Sequence, residues 1–211
     1  MNRIITLAVV VAAALASLVG ITGTGTAHAG GCPAVANFAV GGNGDPGSVH
    51  VPRVPAGWRM NITYPADVMR GDHSRAVARD KLSREGRHMR AVCPRTHIRV
   101  VAYSLGASAA SVVVDYWQAD PRMNRNTSAI FVGNPRHPVG ADGWGGVEAA
   151  ALPNIPGVYQ WHGARRYGPI PVSEVCNPRR DFVCSSPTPL YRDLIGAWNA
   201  LYGYLTGDHL Y

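Results

Sequence analysis

One junction restricts the fold of this chain more than any other. Thr96–Ala102 is a β-rich run that reads as a buried strand, and Leu105–Trp117 is apolar and Ala-rich and reads as a helix. Between them lies Ala102-Tyr103-Ser104-Leu105-Gly106, the G-x-S-x-G elbow pattern with Ala in the first Gly position. A Ser on so tight a strand-to-helix turn takes a strained backbone, and its neighbours two before and two after must be small, because strand and helix cross there. Ala102 carries only a methyl group and Gly106 nothing. The Ser104 hydroxyl would then project from the end of the strand, with the dipole and free N–H groups of the helix start available to a developing negative charge. The plainer alternative is that Ser104 is an ordinary helix N-cap.

Further elements alternate along the chain. Val35–Val40 reads as a strand that runs into the turn-rich loop Gly41-Gly42-Asn43-Gly44-Asp45-Pro46-Gly47. Arg59–Tyr64 is a second strand, stopped by Pro65. His73–Val92 reads as a helix with Ala78, Leu82, Met89 and Cys93 near one face and arginines on the others, ended by Pro94. Ser128–Gly133 is another buried strand, residues 133–172 are dense in Gly and Pro and read as irregular, and Pro189–Leu205 is a final helix. This alternation predicts an open parallel sheet with helices on both faces.

Composition supports one globular domain. Hydrophobic residues make up 46% and charged residues 16% of 211, which excludes a disordered chain, and no repeat period supports a solenoid. The first 29 residues are set apart from the domain. Arg3, the apolar run Ile4–Val19 and the small-residue site Ala27-His28-Ala29 form a secretory signal pattern with cleavage before Gly30. The alternative is an uncleaved anchor, although the run is short for a membrane span. No later segment is long and apolar enough to span. Removing residues 1–29 takes away one Arg and no acid, so the net charge of +7 becomes +6 on residues 30–211. All of that excess lies within residues 70–99, where eight Arg and Lys81 face Asp72, Asp80 and Glu85.

Four cysteines remain in an exported chain, and four allow three disulfide pairings. The short Cys176–Cys184 loop favours that pair, which leaves Cys32 to tie the N-terminus to Cys93. No C-x2-C spacing supports zinc. If Ser104 is a nucleophile it needs a base and an orienting carboxylate. The histidines after it are His137, His162 and His209, and the acids include Asp115, Asp120, Asp142, Glu148, Glu174, Asp181, Asp193 and Asp208. Sequence order alone does not choose among them.

Six stretches in order resemble the cutinase-like serine esterases of actinobacteria, especially the PE-PPE domain branch. Gly42-Asn43-Gly44-Asp45-Pro46-Gly47 is similar to the cutinase oxyanion loop, and Tyr64-Pro65-Ala66 to the family's Y-P-A. Cys93-Pro94 followed by Ala102-Tyr103-Ser104-Leu105-Gly106-Ala107 resembles C-P…G-Y-S-Q-G-A. Gly133-Asn134-Pro135 resembles the PE-PPE G-N-P, and Cys176 to Cys184 around Asp181 resembles the C…D-x-x-C loop. Trp198-Asn199-Ala200-Leu201 with His209-Leu210-Tyr211 resembles the PE-PPE ending. The resemblance implies a single-domain α/β fold, a three-layer α/β-hydrolase-like (cutinase-type) arrangement over residues 30–211. It implies Ser104 as nucleophile, His209 as base and then acid, and Asp181 as the orienting carboxylate. The Leu105 N–H and Asn43 would form the oxyanion hole, and no metal or organic cofactor is implied. Ala102 departs from the usual Gly and Leu105 from the usual Gln. Cutinases also continue with a helix after the His.

The signal pattern makes this a secreted or envelope-associated protein, and the resemblance implies an esterase acting on short- to medium-chain acyl or lipid esters. An acyltransferase would use the same acyl-enzyme, and a catalytically silent envelope-binding protein is the alternative from another class. The basic helix 73–92 is either a solvated face or a contact for anionic envelope lipids or polymers. Nucleic acid is not expected, since no nucleic-acid module is present. His137 and His162 read as loop histidines, and Asp208 competes with Asp181 for the orienting role. Trp144, Leu152, Ile155, Val158 and Trp161 form either a lid or acyl-chain wall or a cover for the sheet edge.

Overall fold

A computed structural model describes residues 31–211; the signal pattern of residues 1–29 lies outside the described residues. Period-2 alternation along three runs builds the centre of the molecule. In β1 (Val35–Val40) Ala36, Phe38 and Val40 point to one face, in β3 (His97–Tyr103) Ile98, Val100 and Ala102 do the same, and in β4 (Thr127–Val132) Ala129 and Phe131 join them. These side chains form one core with Ala78 and Leu82 of α1 (Gly71–Val92) and with Val113, Val114 and Trp117 of α2 (Leu105–Gln118). The opposite face carries a smaller cluster, where Ala39 and Val101 meet Val51 and Val54 of the loop after β1.

The main sheet is completed by β2 (Arg59–Asn61) and, beyond the two-residue strand β5 (Trp144–Gly145), by β6 (Val172–Val175). Its order is β2-β1-β3-β4-β6, and every pairing is parallel. From β1 the chain goes first to one side and then to the other, so the order reverses between β1 and β3. In open α/β sheets, ligands bind outside the carboxyl ends of the strands at such a point. Here those ends are Gly41–Asn43 and Tyr103–Ser104. A separate antiparallel pair joins β5 to β7 (Ser186–Pro187).

Several elements differ from the sequence reading. The second strand stops at Asn61 rather than Tyr64, because Tyr64-Pro65-Ala66 turns to brace the loop after β1. The irregular stretch ends in a true edge strand, β6, whose half-exposed residues carry no apolar run to announce it. The last helix, α3, covers only Leu194–Gly203. Asp193 lies outside helical geometry and caps it by accepting from the Gly196 N–H at 2.8 Å. A short 3-10 turn precedes it at Leu190–Arg192, and a wide turn follows at Tyr204–Asp208. The basic helix starts two residues early, at Gly71, and its arginines are not all solvated. Arg75 is buried at 1% exposure, and Arg87 pairs with Asp120 at 2.5 Å.

Two disulfides form, Cys32–Cys93 and Cys176–Cys184. The first closes a loop of 61 residues from before β1 to the end of α1. Loop-closure entropy assigns it about 4 kcal/mol. Replacing both Cys32 and Cys93 by serine should lower unfolding stability in urea by that order while leaving the folded protein's turnover unchanged. A loss under about 1 kcal/mol would contradict it. Among the described residues no helix is long and apolar enough to cross a membrane.

Candidate active site

The elbow has the geometry its small residues demand. Ser104 holds φ +52° and ψ −122°, a sparsely populated region for a residue with a Cβ. A Cβ on Gly106 would lie 2.1 Å from the Gly41 carbonyl oxygen and 2.6 Å from that of Val40. The steric requirement is therefore set by the end of β1 as well as by the turn itself. Ser104 does not act as a capping side chain, since its hydroxyl makes no hydrogen bond to the start of α2. Its Oγ lies 2.8 Å from Nε2 of His209 instead.

The acid comes from the loop that the Cys176–Cys184 disulfide closes. Asp181 is fully buried. Its N–H donates to the Asn177 carbonyl at 3.0 Å, and its Oδ1 accepts from the Val183 N–H at 2.9 Å. Oδ2 lies 2.7 Å from Nδ1 of His209 and accepts from the Tyr211 hydroxyl at 2.7 Å. With Nδ1–H given to the carboxylate, Nε2 is left to accept the Ser104 hydroxyl proton. Asp208 is drawn away to Arg180, 2.8 Å from its Nε. His137 and His162 serve elsewhere, His137 through Nδ1 against the Cys184 carbonyl and His162 beside Arg79.

His209 is 7% exposed, and aromatic side chains hold it. Tyr103 stacks on its ring with centroids 5.1 Å apart and donates its hydroxyl to the His209 carbonyl at 2.6 Å. The rings of Tyr204 and Tyr211 lie at 5.2 and 6.1 Å. Space for the imidazole is left by Gly133, where a Cβ would lie 2.5 Å from His209 Cε1 and where φ is +56°. Burial, followed by the nearby Asp181 carboxylate, pushes the Tyr103 hydroxyl up to about 12. Burial and the bond to Asp181 likewise raise that of Tyr211. Both therefore remain proton donors across the neutral range. The sequence offers little to mark either tyrosine. Tyr211 reads as part of a resembling chain ending, and Tyr103 as the Tyr of the resembling elbow, but neither reading marks its hydroxyl.

Two backbone segments line the same cavity as Ser104. Leu105 is the first residue of α2, so its N–H is one of the donors that a helix start leaves unpaired. Asn43 sits at the end of β1, and its loop is braced from three sides. Asn43 Oδ1 accepts from the Val68 N–H at 2.8 Å, the Gly44 N–H donates to Ala66 at 2.7 Å, and the Tyr64 hydroxyl donates to the Gly41 carbonyl at 2.5 Å. The side-chain carbonyl of Asn43 is thus spent on holding the loop.

A cavity of about 340 Å³ opens beside Ser104, Leu105 and Asn43. Its remaining walls are Val68 and Met69, then Pro135, Val147, Ile155, Val158, Tyr159 and Trp161, and finally Val183 and Tyr204. The irregular segment is therefore the wall of this cavity through Ile155, Val158 and Trp161. Trp144 and Leu152 are not part of it. An apolar slot with its few polar groups gathered at one serine hydroxyl has the make-up of a site that can take a hydrocarbon chain.

Known proteins resemble the chain in sequence and in fold. The family model described as Cutinase matches residues 36–192. Three solved structures share the fold. An iodinated complex of acetyl xylan esterase aligns over 85% of this chain and 100% of its own, with 18% identity and a TM-score of 0.54. Lysin B from mycobacteriophage D29 aligns over 77% and 69%, with 21% identity and a TM-score of 0.55. A cutinase-like protein from Cryptococcus sp. aligns over 85% and 96%, with 18% identity and a TM-score of 0.53. No curated protein matches the chain.

Proposed function

The chain belongs to the cutinase family, a family of carboxylic ester hydrolases, and from that premise we propose that it is a secreted serine esterase acting on esters of short- to medium-chain acyl groups. One observation carries the reading. An unbroken line runs from Ser104 through His209 to the buried Asp181, with distances of 2.8 and 2.7 Å, at the mouth of an apolar cavity.

In this reading Ser104 Oγ attacks the ester carbonyl carbon as its proton passes to His209 Nε2. The oxyanion is met by the N–H groups of Leu105 and Asn43. The C–O bond to the alcohol breaks, and the alcohol leaves with the proton from His209. Water then gives a proton to His209 and attacks the acyl carbon, the bond to Ser104 Oγ breaks, and Ser104 recovers its proton as the acid departs. Asp181 keeps the imidazole oriented and balances its charge while protonated. The signal pattern of residues 1–29 and the two disulfides support placement in an oxidising compartment outside the cytosol.

The apolar walls favour a hydrocarbon acyl group over acetyl. Each methylene transferred from water to such a site is worth about 0.8 kcal/mol. Along a p-nitrophenyl ester series, kcat/KM should rise at least about tenfold from acetate to octanoate. A series that falls steadily from acetate would contradict the acyl-chain assignment. The same assay with an added alcohol acceptor separates hydrolysis from acyl transfer, and water is expected to dominate.

A further inference from the structure

Beneath the cavity wall lies a cluster of buried polar groups that the chemistry at Ser104 does not use. The Glu148 carboxylate is wholly buried, and four donors converge on it. Arg75 Nη1 and the Tyr159 hydroxyl reach Oε1 at 3.1 and 2.9 Å, the Ser108 hydroxyl also donates to Oε1, and the His162 N–H reaches Oε2 at 2.8 Å. Arg75 Nη1 also donates to the Ser108 hydroxyl of α2 at 3.1 Å, and its other bonds fall on the same segment and on its own helix. Nη2 donates to the Gln160 carbonyl at 2.6 Å and to Asp72 at 2.7 Å, and Asp72 in turn accepts from the Gln160 N–H at 2.8 Å. The Arg75 guanidinium lies 3.8 Å from the centre of the Tyr159 ring, and Tyr159 lines the cavity.

The pattern of these bonds is specific. Through Arg75 and Asp72 they tie α1, and through Ser108 α2, to residues 148–162, and within that segment they join Glu148 to Tyr159 and His162; the same segment supplies Ile155, Val158, Tyr159 and Trp161 to the wall. That segment has almost no regular structure to hold its shape. A buried ion pair is a weak source of stability compared with apolar residues of the same volume. It does impose a single geometry on whatever it binds. We propose that Arg75 and Glu148 are positioning residues that fix the wall segment against α1 and α2 and so set the enzyme's preference for longer acyl chains. This rests on the esterase reading and deepens it: the cavity is a preformed acyl slot held from below.

The test uses the whole protein and two esters, p-nitrophenyl acetate and octanoate. The double variant Arg75→Met, Glu148→Leu removes both charges together, so neither is left buried alone. Ser108→Ala removes one donor and keeps the ion pair. In the double variant the octanoate KM should rise about tenfold while kcat and KM on acetate stay within about twofold. Ser108→Ala should move the octanoate KM in the same direction by about threefold. General destabilisation would lower the active fraction and hence kcat on both esters, without changing the ratio of their KM values. An unchanged KM ratio in the folded double variant overturns the proposal. If that variant does not fold, an unchanged ratio in Ser108→Ala overturns it. Wild-type turnover of acetate keeps this failure distinct from failure of the esterase reading, which would show as no turnover of either ester.

Discussion

Ser104→Ala is expected to lower kcat on p-nitrophenyl esters by about 10⁴- to 10⁶-fold while the protein stays folded. Loss of the nucleophile removes the covalent route, and only binding and oxyanion stabilisation remain to act on water. The structure gives little reason for collapse. Alanine keeps the Cβ that already occupies the strained turn at φ +52°, and the substitution removes a single hydrogen bond, that of Oγ to His209 at 2.8 Å. A melting temperature within a few degrees of wild type, together with the drop in rate, is the expected pair of results. The elbow thus stores strain for the placement of one hydroxyl.

The second large effect belongs to Asp181→Asn, for which kcat should fall by about 10⁴-fold. The carboxylate is fully buried and accepts on both oxygens. An amide has one acceptor oxygen and an NH2 group. Whichever way it turns, the NH2 meets a donor, either the Val183 N–H or the shared position of His209 Nδ1–H and Tyr211. The imidazole then loses the partner that fixes its tautomer. Asp208→Asn is the internal control, since Asp208 adjoins His209 in sequence but pairs with exposed Arg180. Its turnover should stay within about twofold of wild type. Equal losses in the two variants would mean that the orienting acid has been misplaced.

How far the sequence can be read depends on the range of the cause. The elbow is legible because its requirement is local: a strand, a Ser between small residues, and a helix. The disulfides are legible because four cysteines leave few pairings and one loop is short. The proposed roles of Asp181 and His209 come from resemblance, not from spacing, as sequence order alone does not choose among eight acids and three histidines. The features that escape such a reading are set by distant partners. Arg75 looks like one more arginine on a solvated helix, yet its guanidinium reaches Gln160, 85 residues on. Tyr211 stands out in the sequence only as part of a resembling chain ending, and its hydroxyl donates to a carboxylate 30 residues earlier. The edge strand β6 carries no apolar run, and the wall segment owes its shape to buried polar partners that no periodicity reveals.

The most direct test of the account is where a fluorophosphonate attaches. Such a probe forms a covalent bond with a serine whose hydroxyl is activated by a neighbouring base. Intact mass followed by peptide mapping of the labelled protein should show one adduct, on Ser104, absent from Ser104→Ala and formed far more slowly in Asp181→Asn. An adduct at another serine, or none on a folded wild-type protein, would contradict the assignment of Ser104, His209 and Asp181 as the catalytic machinery.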